Sequence, residues 1–330
     1  MSPDASQIFA SPDYHCLGMG QDRAQFVRMD RDDYRQSLFL DRRLVTKRPE
    51  ILELPLAPLI GVSSGAATGS PRWIFHVAHC GSTLLANLLD QPGRSLVLRE
   101  PPALRQVGIA RGQGMAVDAV ERRFGLAHRL SSRTFDPAET VVIKANVPVN
   151  FCLDLVAKVQ PNSPAVLLYL DWPDYLTAIL RTDNHRSWLT NITSTFRAMI
   201  ESILGAPLSD VDAERAASLW LAQMQLYRGF MDANPAAAAL DAELLFQDPL
   251  ATAAAVASHL GLHGVDPTTN AAALGSYSKN PSQPFDSETR RRRAEADRER
   301  LSGELAVAGA WLARITAQDG LPKFDRSITP

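Results

Sequence analysis

The chain has 330 residues, of which 45% are hydrophobic and 21% charged, with a formal net charge of −2. That length and balance suit one large soluble α/β domain or two smaller ones, and supply no basic surplus for gripping nucleic acid. Its three cysteines, Cys16, Cys80 and Cys152, are odd in number and lack metal-ligand spacing, so they fit a reducing cytoplasm better than a disulfide framework; no apolar run is long enough to span a membrane.

Residues 1–70 read as an N-terminal extension. Gln25 to Met29 is strand-like, and the charged run Asp30-Arg31-Asp32-Asp33 leads into a helix over about Tyr34–Leu40, with Asp32 or Asp33 as its cap. Ile51 to Pro55 is apolar and broken by proline, and the small residues Ser63 to Ser70 form a natural linker. The remainder, 71–330, reads as a single α/β domain with a helical tail. Strands are predicted at Trp73–Val77, Ser95–Leu98, Thr140–Ile143, Ala165–Leu170 and Ala239–Phe246. After the second strand, Pro101 and Pro102 are expected to stop regular structure. Helical patterns occupy about Met115–Leu130, Phe151–Val159, Asn191–Leu204 and Asp212–Ala233, and begin near Asp174 and at Pro249, where Asp248 is the cap. Solid apolar strands alternating with helices predict a parallel sheet of about five strands flanked by helices.

The segment Trp73 to Glu100 carries the clearest chemistry. A buried strand gives way to His79, Cys80 and Gly81, then to Ser82, Thr83 and the helical run from Leu84. The first amides of a helix have no intrahelical partner and carry partial positive charge, so a glycine turn at that place makes a phosphate or sulfate cradle. The full nucleotide-triphosphate motif is absent: its first glycine is missing and no lysine precedes Ser82. An ordinary strand, turn and helix with hydroxyl caps is the alternative.

The run FHVAHCGSTLLANLLD resembles the 5′-phosphosulfate loop of sulfotransferases, enzymes similar in fold to P-loop nucleotide kinases that use 3′-phosphoadenosine 5′-phosphosulfate (PAPS) as donor. The usual basic residue of that loop is His79 here. The resemblance implies donor contacts from His79, Cys80, Gly81, Ser82, Thr83 and Leu84, and no metal. Lys144 ends an apolar strand, where it is either a strand-end lysine or a cation beside the anion loop. Many sulfotransferases place a lysine in this strand, a histidine base two residues later, then proline; the same register here gives Lys144, Asn146 and Pro148. With that histidine absent, Glu100 is the candidate base, the alternative being a loop carboxylate paired with Arg99 or Arg105. His79 and His185 are secondary candidates.

Sulfotransferases commonly show Arg-x-Pro after the fourth strand and a serine six residues beyond the proline. Pro173 is kept, but Asp171 and Ile179 stand at the other two positions, so under the resemblance either Arg181 or Arg186, or the Thr177 hydroxyl, serves a 3′-phosphate, or the donor lacks one; for the two arginines a solvated helix face is the alternative. The stretch LDAELLFQDPLATAAAVASHLGL resembles the family's strand, Asp-Pro, helix and Leu-Gly pattern. Lys279 lies where family members close the donor site with a basic loop; an ordinary surface loop is the alternative. Arg290 to Arg293, followed by Glu295, Asp297 and Glu299, reads as a solvated helix face with internal ion pairs.

The expectation is thus a cytoplasmic sulfotransferase acting on the hydroxyl or amine of a small-molecule acceptor, with no nucleic-acid or membrane partner. A kinase-like phosphotransferase and a catalytically silent binding protein on the same fold are the alternatives. Acceptor identity and oligomeric state are not legible in the sequence.

Overall fold

A computed structural model describes the chain except for residues 1–4, 38, 42–49, 64–68, 278–279 and 285–286. Lys279 and most of the linker read at Ser63–Ser70 therefore lie outside the described residues. A short helix α1 (Ala5–Ala10) leads into an antiparallel sheet of β1 (Tyr14–Met19), β2 (Arg23–Arg28) and β3 (Ile51–Pro55). Helix α2 (Arg31–Gln36) follows β2, and α3 (Leu56–Ser63) follows β3. The capping residue of α2 is Asp30: its carboxylate accepts from the Asp33 amide at 2.8 Å, while Asp33 accepts from the Asp30 amide at 3.0 Å. This reciprocal cap starts the helix three residues before the expected Tyr34.

The N-terminal segment is tied to the rest of the chain by arginines. Arg31 pairs with Asp90 at 2.6 Å and Glu139 at 3.1 Å, and Arg133 donates to the carbonyls of Ser11 at 2.7 Å and Tyr14 at 3.0 Å. Arg99, nearly fully buried, donates to the Tyr34 carbonyl at 2.8 Å and pairs with Asp90 at 2.9 Å, so it is not Glu100's partner.

Next come β4 (Arg72–His76), α4 (Ser82–Leu89), β5 (Ser95–Arg99), α5 (Pro102–Gly112), α6 (Val117–Leu130) and β6 (Thr140–Lys144). They are followed by α7 (Val147–Asn150), α8 (Leu153–Val159), β7 (Ala165–Tyr169), α9 (Trp172–Leu180), α10 (Asp183–Thr195), α11 (Arg197–Leu204) and α12 (Asp212–Ala233). After them come β8 (Ala237–Asp241), α13 (Ala242–Gln247), α14 (Pro249–His259), α15 (Ser287–Arg300) and α16 (Ser302–Ile315). Strands β4 to β8 form one sheet in the order β5-β6-β4-β7-β8, with every pairing parallel. The expected class, a five-stranded parallel sheet flanked by helices, is what the chain adopts. Its strands are buried along nearly their whole length, as a sheet covered on both faces requires. No helix among the described residues is long and apolar enough to cross a membrane.

Several local expectations are corrected. Pro101 and Pro102 begin α5 instead of ending structure, because proline's fixed φ and missing amide suit the first helical turn. The strand expected over Ala239–Phe246 stops at Asp241, whose carboxylate accepts from the Glu243 amide at 2.9 Å and caps α13. The helix expected over Asn191–Leu204 is two helices broken at Phe196, and the first starts at Asp183 on a Thr182 cap. Strand β1 has no counterpart in the sequence reading; its residues are buried without the alternation that marks a half-exposed strand.

The order of the sheet positions the site. From β4 the chain goes to the edge strand β5, returns inward to β6 beside β4, and then crosses to β7 and β8 on the other side of β4. The crevice beyond the carboxyl end of β4 is therefore the switch point where such sheets bind ligands.

Candidate functional site

At that switch point a cavity of about 1000 Å³ opens. Its inner wall is the turn between β4 and α4. Two residues there hold left-handed backbone, His79 with φ +63° and Gly81 with φ +78°. Gly81 needs to be glycine twice over: the conformation disfavours a side chain, and a Cβ would lie 2.8 Å from the Phe246 ring. As the N-cap of α4 it offers no side-chain acceptor to the helix's first amides. The start of α4 and the Ser82 and Thr83 side chains line the cavity, with the Ser82 amide and hydroxyl also against the Cys80 thiol, an arrangement of the kind that suits an anion. Cys80 is fully buried, its Sγ donates to the Val77 carbonyl at 2.8 Å, and burial pushes the thiol up to about 12. It pins the turn and has no thiolate to offer. The His79 ring lies 4.0 Å from that of His185 and edge-on to Trp188.

The second group comes from neighbouring strands. Glu100 follows β5 and Lys144 ends β6; the two strands are in register through Arg99 and Lys144, and the Glu100 amide donates to the Lys144 carbonyl at 2.8 Å. The register sets their side chains together, and Lys144 Nζ donates to Glu100 Oε1. The lysine side chain is 3% exposed and the glutamate 22%, so the ammonium sits behind a carboxylate that faces the cavity. Glu100 is also held in left-handed backbone, φ +59°, an uncommon state for a residue with a side chain and one that clusters at functional sites. His76, the last residue of β4, places Nε2 3.8 Å from the same Glu100 oxygen. Asn146, 7% exposed, lines the cavity too, and its Oδ1 has no hydrogen-bond partner among the described residues. An amide cannot accept a proton at ordinary pH, which leaves carboxylate and imidazole as the bases at this place.

The cation side of the cavity differs from the sequence expectation. Arg181, at the end of α9, lines the wall. Arg186 does not: it is held by Glu304 at 2.9 Å and Asp212 at 3.2 Å. Asp171 is exposed at the start of α9 and lies off the cavity wall; its charge acts on Asp241, whose carboxyl is pushed up first by burial and further by Asp171. Ile179 is fully buried, and Thr177 donates its hydroxyl to the Pro173 carbonyl at 2.7 Å while lining the wall. The solvated-face reading of Arg290 to Arg293 is overturned for Arg290, while Arg291, Arg292 and Arg293 are exposed. Arg290 and Arg293 line the cavity; Arg290 stacks 3.4 Å above the Phe246 ring and pairs with Glu243 at 2.6 Å. The partners lie on α13, not on the helix's own next turn.

Of the predicted site residues within the described chain, His79, Cys80, Gly81, Ser82, Thr83, Leu84, Glu100, Lys144 and Arg181 line this one cavity, and Arg186 does not. Sequence reasoning missed His76, Phe39, Trp188, Arg290 and Arg293. For His76 a signal exists: it is a histidine closing a buried strand directly ahead of the anion turn. The others arrive from elements distant in sequence and carry none.

No family model matches the chain, and no curated protein does. Solved structures similar to it include three sulfotransferases. One is a sulfotransferase domain from the curacin biosynthetic pathway, 13% identical, covering 67% of this chain and 80% of its own at a TM-score of 0.41. Another is a sulfotransferase from Alicyclobacillus acidocaldarius, 14% identical, covering 77% of this chain and 98% of its own at 0.40. The third is the sulfotransferase STF1 from Mycobacterium tuberculosis H37Rv, 16% identical, covering 71% of this chain and 78% of its own at 0.42.

Proposed function

We propose that this protein is a sulfotransferase that moves a sulfuryl group from PAPS to the hydroxyl or amine of a small-molecule acceptor. The observation that carries this reading is the Glu100–Lys144 pair facing the same cavity as the Gly81-Ser82-Thr83 cradle. The cradle suits a phosphosulfate: amides at a helix start, two hydroxyls, and Arg181, Arg290 and Arg293 on the wall for further anionic groups. The donor, when bound, supplies a sulfuryl group already joined to a good leaving group.

The residues then divide the work. Glu100 accepts the acceptor's proton as the new bond to sulfur forms, and the electron pair of the broken S–O bond stays with the phosphate. Protonation removes the charge that Lys144 was neutralising. The buried ammonium then becomes available to the leaving oxygen as negative charge develops there, a stabilisation larger in the transition state than before it. A kinase-like role draws no support from a cradle without its lysine. A silent binding protein remains the rival, favoured by Asn146 standing where a base is expected by resemblance. Three unpaired, buried thiols suit a reducing cytoplasm as the place of action.

Titration with adenosine 3′,5′-bisphosphate, and separately with ATP and magnesium, tests the reading by melting temperature. At ~100 times its dissociation constant a ligand adds about 2.7 kcal/mol, a shift of several degrees for a protein of this size. Stabilisation by the bisphosphate alone supports the sulfotransferase. Stabilisation only by ATP with magnesium selects the phosphotransferase, and no response to either selects the silent binder.

A further inference from the structure

Beyond the cradle, the cavity continues between α5 and α10. Helix α5 starts two residues after Glu100 and presents Pro102, Arg105 and Ile109 to the cavity, a spacing that lies on one face of a helix. Helix α10 presents His185, Trp188, Ile192 and Thr195, again one face. The floor is α7, and Gly108 lets α5 settle on it: a Cβ there would lie 2.5 Å from the Pro148 carbonyl oxygen. At the far end the two walls meet, because a Cβ on Gly112 would lie 2.8 Å from both the Phe196 ring and the Thr195 carbonyl oxygen. From Pro102 to Gly112 a helix advances about 15 Å, which sets the depth of the slot.

The lining is apolar for most of that depth, through Pro102, Ile109, Val147, Pro148, Trp188 and Ile192. Arg105 interrupts it in the first turns of α5, exposed and without an ion pair among the described residues. Asp41 also lines the cavity and is itself partnered. An uncompensated guanidinium on an apolar wall selects a ligand that brings the missing anion.

We infer that the slot between α5 and α10 is the acceptor site and takes an elongated, largely apolar acceptor whose carboxylate, close to the reacting hydroxyl or amine, pairs with Arg105. The position follows from the helix. Arg105 stands about one turn from the start of α5, near Glu100, so the charge and the nucleophile share one end of the acceptor while its apolar body runs toward Gly112. This inference rests on the sulfotransferase reading for the reaction but not for the binding.

The test uses three probes on the full chain: a long-chain primary alcohol, a long-chain hydroxy acid with both groups at one end, and a hydroxy acid with the groups at opposite ends. Melting shifts without any donor measure binding alone. The same-end hydroxy acid is expected to bind about tenfold tighter than the alcohol, the lower range for a charge-assisted hydrogen bond, and Arg105→Leu is expected to bring that ratio near one. Arg105→Glu should reverse the preference toward the matching amino alcohol, which a loss of folding would not produce. Bisphosphate binding should survive both substitutions, so a failed donor titration in the unaltered protein sinks the sulfotransferase reading and leaves this one standing. Equal binding of alcohol and same-end acid, a preference for the opposite-end acid, or a preference that persists in Arg105→Leu overturns the inference.

Discussion

Glu100→Gln is the substitution that separates chemistry from architecture at this site. Glutamine keeps the shape and a carbonyl oxygen for Lys144, but it cannot take a proton. General bases contribute about 10²–10⁴-fold, so turnover should fall by that factor, equivalent to about 3–5 kcal/mol of barrier. A stability cost accompanies it. Lys144, 3% exposed, loses its counter-charge, and breaking a fully buried pair costs about 3–5 kcal/mol. Glu100 is 22% exposed and its replacement still accepts a hydrogen bond, so the cost should be near the lower bound or less, about 1–3 kcal/mol, a melting decrease of several degrees. The assay is sulfuryl transfer at a temperature where the variant is folded, beside a bisphosphate titration. Collapse of turnover with bisphosphate affinity kept within a few-fold is the expected pair of results. Turnover within about tenfold of the unaltered protein would refute Glu100 as base, and loss of bisphosphate binding together with turnover would assign it to holding the site's shape.

Three further perturbations follow from the structure. Arg290→Ala and Arg293→Ala should each weaken bisphosphate binding by about tenfold with a reduced salt dependence, since each removes a cation from the cavity wall; unchanged isotherms would return both residues to the solvated face that the sequence suggests. Gly81→Ala should cost about 1–2 kcal/mol for left-handed backbone alone and abolish bisphosphate binding, with Phe246→Ala relieving the steric part; normal binding by Gly81→Ala would show that the turn is not the cradle. His15 is buried, donates Nε2–H to the Leu40 carbonyl at 2.9 Å, and is lowered from 6.5 to about 4, chiefly by burial. Between those values the unfolded chain binds a proton that the folded chain refuses, so stability falls as pH drops, by about 3 kcal/mol in total. Urea titrations across that range on the protein and on His15→Gln check it: the variant should show the shallower acid loss, and parallel curves would contradict the assignment.

How far the sequence reaches can be followed residue by residue. The turn between β4 and α4 is legible because its geometry is local: a strand, a glycine, two hydroxyls and a helix start lie within a dozen residues, and the glycine takes the left-handed backbone the turn requires. Lys144 and Glu100 are legible singly, each as a charged residue closing an apolar strand. Their pairing is not, because it depends on β5 lying beside β6 in the sheet, and no periodicity in either strand states which neighbour it takes. Arg186 and Arg290 show the same limit from opposite sides. As residues they look equally free. Only packing reveals that the first is claimed by Asp212 and Glu304 while the second reaches across to Phe246 and the cavity.

The N-terminal region makes the point most sharply. Its composition says extension, yet Phe39 and Asp41 line the cavity because Arg99, reaching out of the central sheet, fastens the backbone at Tyr34. Apolar runs, turn glycines and capping side chains determined the class of fold and the place of the anion turn, since those act over a few residues. Which charges face one another, and therefore what the cavity can bind and how a proton can move in it, was decided by tertiary structure, because electrostatic coupling depends on distance in space and not on distance along the chain.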